Sequence, residues 1–453
     1  MLCNTKKRFR GWLLNFVDLL REPSVDMALR ILHTADWHLG QNFYEYDRAP
    51  EHERFLAWLR DTLVEKRADV LLISGDIFDV SNPPASAQRM FYTFLKEATS
   101  LLPGLQVVCI AGNHDSAARL ESPRALLEAF RVTVTGMIPR TSDGYPDYPS
   151  LMVPLRGRSG GTEAWCLAVP FLRQGDFPGV TQEGDRSYAE GITTFYREAL
   201  VCAASVRQPG EALIVTGHLH TMEARTSEED KSERPIMGGL ELVPAGAFGT
   251  EAQYVALGHI HRPQTVAGRK TIRYAGSPLP MSFSEQHYRH QVVCVDLEEG
   301  NVVKVDPLPI PVTVPLLSVP SQPRPLSEVL PELEQLPSGH ENRQEAPYLR
   351  VRILLEGPEP SLRYQIEKAL ENKTVRLARI EVTYPEREDD GTGSSSLSTA
   401  SGLDTLQPLD IFKKKYTARF REEIPEALVT LFQEVVAGLP SGEEAEELTD
   451  SFS

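Results

Sequence analysis

Five short segments combine acidic, imidazole and amide side chains: Thr34-Ala35-Asp36-Trp37-His38, Ser74-Gly75-Asp76-Ile77-Phe78-Asp79, Ala111-Gly112-Asn113-His114-Asp115, Thr216-Gly217-His218-Leu219-His220 and Leu257-Gly258-His259-Ile260-His261. Carboxylate, imidazole and amide oxygen suit Mn, Fe or Zn, and the absence of thiolates argues against a sulfur-rich site. Two cations roughly 3.5–4 Å apart in such a site clamp a phosphoryl group and activate a water for attack. One carboxylate must then bridge them, and Asp76 is the natural candidate because its segment is central. Asp-x-His and His-x-His put alternate side chains on the same side of an extended backbone, so each pair can reach one cluster. Each segment alone is a weak signal, since a lone histidine is more often a core or surface residue. Yet six of the 11 histidines (His38, His114, His218, His220, His259 and His261) fall inside these segments, which scattered structural histidines would not do.

Something must bring the five segments together. Each follows a short run rich in Val, Ile or Leu, at residues 30–34, 70–74, 106–110, 212–216 and 254–257. Such runs predict buried strands. Amphipathic patterns at 52–66 and 85–98 predict helices, the second entered through Asn82-Pro83-Pro84. The alternation implies an α/β layered domain with strands packed between helices. Ligands bind outside the carboxyl ends of strands in such sheets, so the five loops can share one crevice. A glycine before the polar residue in four of them permits a tight turn that aims the side chain inward.

The length of 453 residues suggests about three folded units, at roughly 150 residues each. A hydrophobic share of 41% and a charged share of 24% place the chain among ordinary globular proteins. The net charge of −16 opposes tight sequence-independent nucleic-acid binding through bulk charge, because phosphate contacts need Lys and Arg. It does not oppose an acidic site that meets phosphates through bound cations. Five widely spaced cysteines without a C-x-x-C pair give no disulfide framework or structural zinc site, and the cytoplasm is the expected compartment. Residues 1–26 read as a disordered or upstream-start extension. Their apolar run is interrupted by Asn15 and Asp18 and is too short for a membrane span. A Pro-rich change of character at 307–337 ends the first domain, expected over 27–306. Strand, helix and strand are expected at 348–355, 361–370 and 379–383, within a small α+β module over 307–385. Residues 386–405 read as a flexible linker. Residues 406–440 read as a helical pair broken at Pro425, with Ile411, Phe412, Tyr416 and Phe420 at helical spacing. Residues 441–453 form an acidic tail.

In order, the motifs DxH, GDxxD, GNHD, GHxH and GHxH resemble those of calcineurin-like metallophosphoesterases. HTADWHLG, ISGDIFD, IAGNHDS, YVALGHIHRPQ and RYAGSPLPMSFSE narrow the resemblance to the nuclease subunits of bacterial SbcCD complexes. It is strong from Met27 to about Asp296 and looser beyond. The family implies a sheet sandwich flanked by helices, with 307–385 as a capping domain that helps select DNA. Carried over residue by residue, it implies one metal held by Asp36, His38, Asp76 and His261, and another by Asp76, Asn113, His218 and His259. Two divalent cations, Mn2+ by resemblance, are the expected cofactors. The histidine of GNHD acts on the phosphate in that family, so His114 is expected to stabilise the transition state or protonate the leaving group. Asp79 or Asp115 could orient it, and the family's dyad pattern favours Asp79.

The resemblance further implies that 406–440 dock on the coiled coil of an SbcC ATPase, in an assembly of two SbcC and two nuclease subunits acting on DNA duplex ends and hairpins. The implied activity is ATP-dependent 3′–5′ exonuclease on duplexes and endonuclease on single strands and hairpins. A phosphomonoesterase or cyclic-nucleotide phosphodiesterase is the alternative on the same fold. Phosphoprotein phosphatases usually carry Arg after the second Asp of GDxxD, where Val80 stands here. A non-catalytic scaffold would lack ligands, and none is missing. Trp37 is expected to pack beneath its loop, and His220 to lie behind the site or face solvent. Arg262 and Arg273 are expected near the site, on phosphate or in surface ion pairs, and Cys109 in the core.

Overall fold

A computed structural model of the chain describes residues 28–385, apart from 159, 179–186, 226–241 and 340–344, together with 412, 413, 416, 424, 425, 428 and 429. The extension 1–26, the linker 386–405, the tail 441–453 and most of the helical segment 406–440 lie outside the described residues. The chain divides into two units, Met1–Pro385 and Glu386–Ser453.

The first unit begins with β1 (Leu29–Thr34), α1 (Ala49–Lys66), β2 (Val70–Ser74), α2 (Ala85–Leu101), β3 (Gln106–Ile110) and β4 (Val132–Thr135). The two long helices bury one face each: Phe55, Leu56, Leu59 and Leu63 on α1, and Phe91, Phe94, Leu95 and Ala98 on α2. That spacing of three and four gives a helix one apolar stripe. Next come β5 (Met152–Arg156), β6 (Thr162–Leu167), α3 (Tyr188–Val206), β7 (Ala212–His218), β8 (Tyr254–Gly258), β9 (Gln264–Val266) and β10 (Arg269–Tyr274). Ser187 and Glu190 form a reciprocal capping box at the start of α3. The hairpin β11 (Gln291–Glu298) and β12 (Asn301–Pro309) then returns to the first sheet.

Two six-stranded sheets result, in the orders β12-β11-β1-β2-β3-β4 and β9-β10-β8-β7-β6-β5. β1 to β4 are mutually parallel, as are β6, β7, β8 and β10. Alternate residues share the duties of the two faces. Leu29, Ile31, Val70, Leu72, Val108 and Ile110 meet Ala164, Cys166, Ala212, Ile214 and Ala256 between the sheets. Leu32, Leu71, Ile73, Val107 and Cys109 face α1 and α2, while Leu213, Val215, Val255 and Leu257 face α3. Covering on both sides is why these strands are rich in apolar residues. The observed architecture is the α/β sandwich flanked by helices.

The small module contains β13 (Leu316–Pro325), α4 (Leu326–Glu334), β14 (Tyr348–Leu354), α5 (Leu362–Ala369) and β15 (Arg376–Thr383). Its three strands are parallel with β14 in the middle, and Val329, Leu333 and Ile366 pack on Leu349, Val351 and Ile353. The reading from sequence foresees β14, α5 and β15 and treats the stretch before them as a boundary. That stretch holds a strand and a helix. The module seats on the first domain through Tyr348, which packs on Phe43 with ring centroids 4.6 Å apart and donates to Glu51 Oε1 at 2.6 Å. No helix among the described residues is long and apolar enough to cross a membrane.

Candidate metal centre

Parallel pairing of β1 and β2 continues beyond the strands. Asp36 N donates to Gly75 O at 3.0 Å, His38 N to Asp76 O at 3.0 Å and Leu39 N to Ile77 O at 2.9 Å. Trp37 anchors this loop from below: its ring is buried, Nε1 donates to Thr34 Oγ1, and Phe55, Phe91 and Phe94 meet it edge-on. With Trp37 inside, Asp36 and His38 turn to the other side. Four residues of the cluster adopt positive φ: Asp36 (56°), His38 (46°), Asp76 (50°) and His259 (98°). Non-glycine residues there cost about 1–3 kcal/mol each and persist only where the surroundings enforce them.

The five loops meet at the carboxyl ends of β1, β2, β3, β7 and β8. Ligand atoms of Asp36, His38 and His261 lie within 4.8 Å of one another, as do those of Asp76, His218 and His259, and those of His38, Asp76 and His114. Asp76 lies between the sets, with Oδ2 3.7 Å from His38 Nε2 and 3.3 Å from His218 Nε2. Asn113 Oδ1 is 3.0 Å from His218 Nε2 and 3.1 Å from His259 Nδ1. The structure thus brings all seven expected ligands together. Glycines make room for them: a Cβ on Gly112 would collide with the Asp76 carboxylate, and one on Gly75 with the His218 ring. The two sheets are tied at this point, because His218 Nδ1 lies 2.8 Å from Ser74 O and Ser74 Oγ donates to Ala256 O.

Asp36 Oδ2 and His38 Nε2 are buried without a hydrogen-bond partner. Leaving such groups unsatisfied costs about 1–3 kcal/mol each. Orphaned donor atoms at the centre of an Asp/His cluster fit a divalent cation, and the oxygen and nitrogen donors suit a first-row metal.

Electrostatics follow from burial and crowding. Burial raises the Asp36 carboxyl above its ordinary range, partly opposed by His218 and His261. For Asp76 burial acts in the same sense, but His218 and His38 outweigh it and hold the carboxyl far below its usual range. Burial lowers His218, yet the Asp76 carboxylate more than compensates and raises it to about 9. His259 is driven well below its ordinary value by burial and by His218. Asp115 is pushed up to about 6 by burial and by Asp76, although it accepts bonds from Gly112 N, Ile77 N and Phe78 N.

His114 lies at the half-exposed side of the cluster, its ring centroid 4.9 Å from that of His38. Its backbone N donates to Asp76 Oδ1 at 2.8 Å, and Nδ1 lies 2.7 Å from the backbone carbonyl of Asp79. Asp79 therefore meets His114 through its main chain, while its carboxylate reaches to 3.3 Å from His38 Nδ1. Asp115 serves as a bracket for three backbone N–H groups. His220 is half-buried, 6.1 Å from His259 between ring centroids, and Cys109 is in the core. Arg262 is exposed and lies over Tyr288.

One residue at the cluster escapes the reading from sequence. Glu285 is buried and lies 3.2 Å from His261 Nδ1. Its signal is a single acid in the otherwise uncharged GSPLPMSFSE. Burial would raise its carboxyl, but His261 outweighs burial and lowers it.

Residues 29–263 match the family model of calcineurin-like phosphoesterases, and 312–420 match a model described as the type 5 capsule protein repressor C-terminal domain, SbcD_C. The SbcD subunit of the SbcCD nuclease of Rhodobacter capsulatus is 39% identical over 363 residues, covering 79% of this chain and 88% of that protein. The chain belongs to the SbcD family. The SbcD of Escherichia coli K12 is 33% identical over 370 residues, covering 80% and 86% of the two chains. That of Bacillus subtilis is 33% identical over 275 residues, covering 60% and 67%. The phosphoesterase match spans every SbcD loop of the cluster from Asp36 to His261, and the second match spans the small module and continues past Pro385.

Proposed function

We propose that the chain is the nuclease subunit of an SbcC-partnered complex and hydrolyses DNA phosphodiester bonds at a centre of two divalent cations, with Mn2+ as the working ion. Asp36, His38, Asp76 and His261 would hold one cation, and Asp76, Asn113, His218 and His259 the other. The observation that carries this reading is the Asp76 carboxylate, shared between the two histidine sets. Bound cations supply Lewis-acid polarisation of the phosphoryl oxygens and lower the pKa of water.

The protein's own groups do the rest. The five ligand-bearing loops fix the donor atoms before substrate arrives, so no reorganisation is needed during reaction. His114, with Nδ1 tied to Asp79 O, keeps Nε2 for substrate. Burial holds its pKa below the ordinary value, against the pull of Asp76. A phosphodiester anion beside it favours the protonated ring, which stabilises the developing charge or gives its proton to the departing oxygen. Asp79 orients the ring.

In this reading 307–385 cap the site and select DNA, 386–405 tether, and 406–440 dock on the SbcC coiled coil. Two SbcC and two nuclease subunits assemble in the cytoplasm. ATP hydrolysis by SbcC gives access to duplex ends for 3′–5′ degradation and to hairpins and single strands for endonucleolytic cutting. A basic DNA surface on the partner offsets the net charge of −16.

The test sets Mn2+-dependent cleavage of a duplex, with SbcC and ATP, beside hydrolysis of p-nitrophenyl phosphate and of a cyclic nucleotide. DNA cutting that Asp76→Asn abolishes is the expected result. Hydrolysis of the small esters with no DNA cutting would replace this reading by a general phosphoesterase.

A further inference from the structure

We propose that Glu285 is a positioning residue for His261, fixing its tautomer and ring angle so that Nε2 faces the cluster. The proposal rests on the reading of His261 as a cation ligand. A carboxylate taken fully out of water is costly unless its oxygens are paired. Glu285 is fully buried, with Oε1 3.2 Å from His261 Nδ1 and Oε2 accepting from Met281 N at 3.0 Å and Ser277 Oγ at 3.5 Å. An imidazole that donates through Nδ1 keeps its lone pair on Nε2, and a carboxylate behind it raises its basicity toward a cation.

The seat of this carboxylate is itself built. Glu285 ends the short turn Phe283–Glu285, and Phe283 is buried against Phe43, with ring centroids 5.4 Å apart. Arg350 of the small module lies over the Phe283 ring at 5.2 Å, and Tyr348 packs on Phe43. One side of the turn therefore holds a metal-ligand candidate, while the other packs where the small module docks.

The experiment measures Mn2+ binding to the full chain by calorimetry and by the electron paramagnetic resonance of free Mn2+, for wild type, Glu285→Gln, Phe283→Leu and His261→Ala. Loss of such a partner typically weakens metal affinity about 10- to 100-fold. Glu285→Gln should show that loss at one of two sites and leave the other unchanged. Phe283→Leu keeps the carboxylate, so it should lower Tm with a much smaller change in affinity. If His261→Ala weakens binding and Glu285→Gln does not, Glu285 only supports the turn and the proposal is wrong. If His261→Ala binds Mn2+ like wild type, the ligand reading itself fails. Should Glu285→Gln not fold, Glu285→Asp gives the same comparison, with weakened binding expected and unchanged binding overturning the proposal.

Discussion

At His218 two demands compete for one nitrogen. Nδ1 is committed to Ser74 O, and Asp76 holds a proton on the ring up to about pH 9. A cation ligated through Nε2 must displace that proton. Mn2+ binding at pH 8 should therefore release about one proton, and affinity should fall about tenfold per pH unit on acidification. Calorimetry in buffers of different ionisation enthalpy reads the release directly, and a heat independent of buffer would contradict it. Two other histidines report on stability. Burial, with Arg273 beside one and Arg48 beside the other, lowers His33 and His52 to about 3. Their folded values lie below the unfolded value near 6.5, so only the unfolded chain binds these protons as pH drops from 6.5 toward 3. Stability should be fully present above 6.5 and fall by about 1.4 kcal/mol per pH unit for each ring below it. Urea unfolding at pH 7 and pH 5 measures the difference, and His33→Gln should shrink it if the mutant folds.

The strand-to-loop transitions are the elements on which the cluster depends. Gly112→Ala puts a methyl group into the Asp76 carboxylate, so it should cost at least about tenfold in cleavage, because small misplacements of a reacting group have large effects. Circular dichroism should stay near wild type, and full activity would show that Asp76 has slack. These transitions were legible in the sequence because every strand feeding them is rich in Val, Ile or Leu and ends in a polar turn. β13 was not, since Pro320, Pro323 and Pro325 read as a domain boundary. It is an edge strand, where proline is tolerated because one row of N–H groups has no ladder to join. α4 is hidden for a related reason, with Pro331 inside it. Sequence also could not show that Asp79 meets His114 through its carbonyl, because motif spacing identifies a residue and not which of its atoms makes the contact. Glu285 escaped because its partner His261 is 24 positions away.

Across the first unit as a whole, the docking of the small module rests on a buried polar link. Arg48 and Glu51 are paired at 2.9 Å, and the Tyr348 hydroxyl donates to the other oxygen of Glu51. Tyr348→Phe leaves that oxygen buried and short of a donor, which should cost about 1–3 kcal/mol in chemical denaturation. A loss within error would mean the link is reached by solvent. The acidic balance of the chain matters at this scale too, because in the proposed function an electrostatic funnel for DNA would come largely from cations and from a partner. Whether this cluster cuts DNA with His114 acting on the phosphate is decided by cleavage of a hairpin-ended duplex with Mn2+, SbcC and ATP. Wild type is compared with His114→Gln at matched cation occupancy. Metal-dependent cutting should drop about 10²- to 10⁴-fold in the variant while Mn2+ affinity is kept. Equal cutting by both proteins, or cutting lost only because Mn2+ no longer binds, would remove His114 from the chemistry.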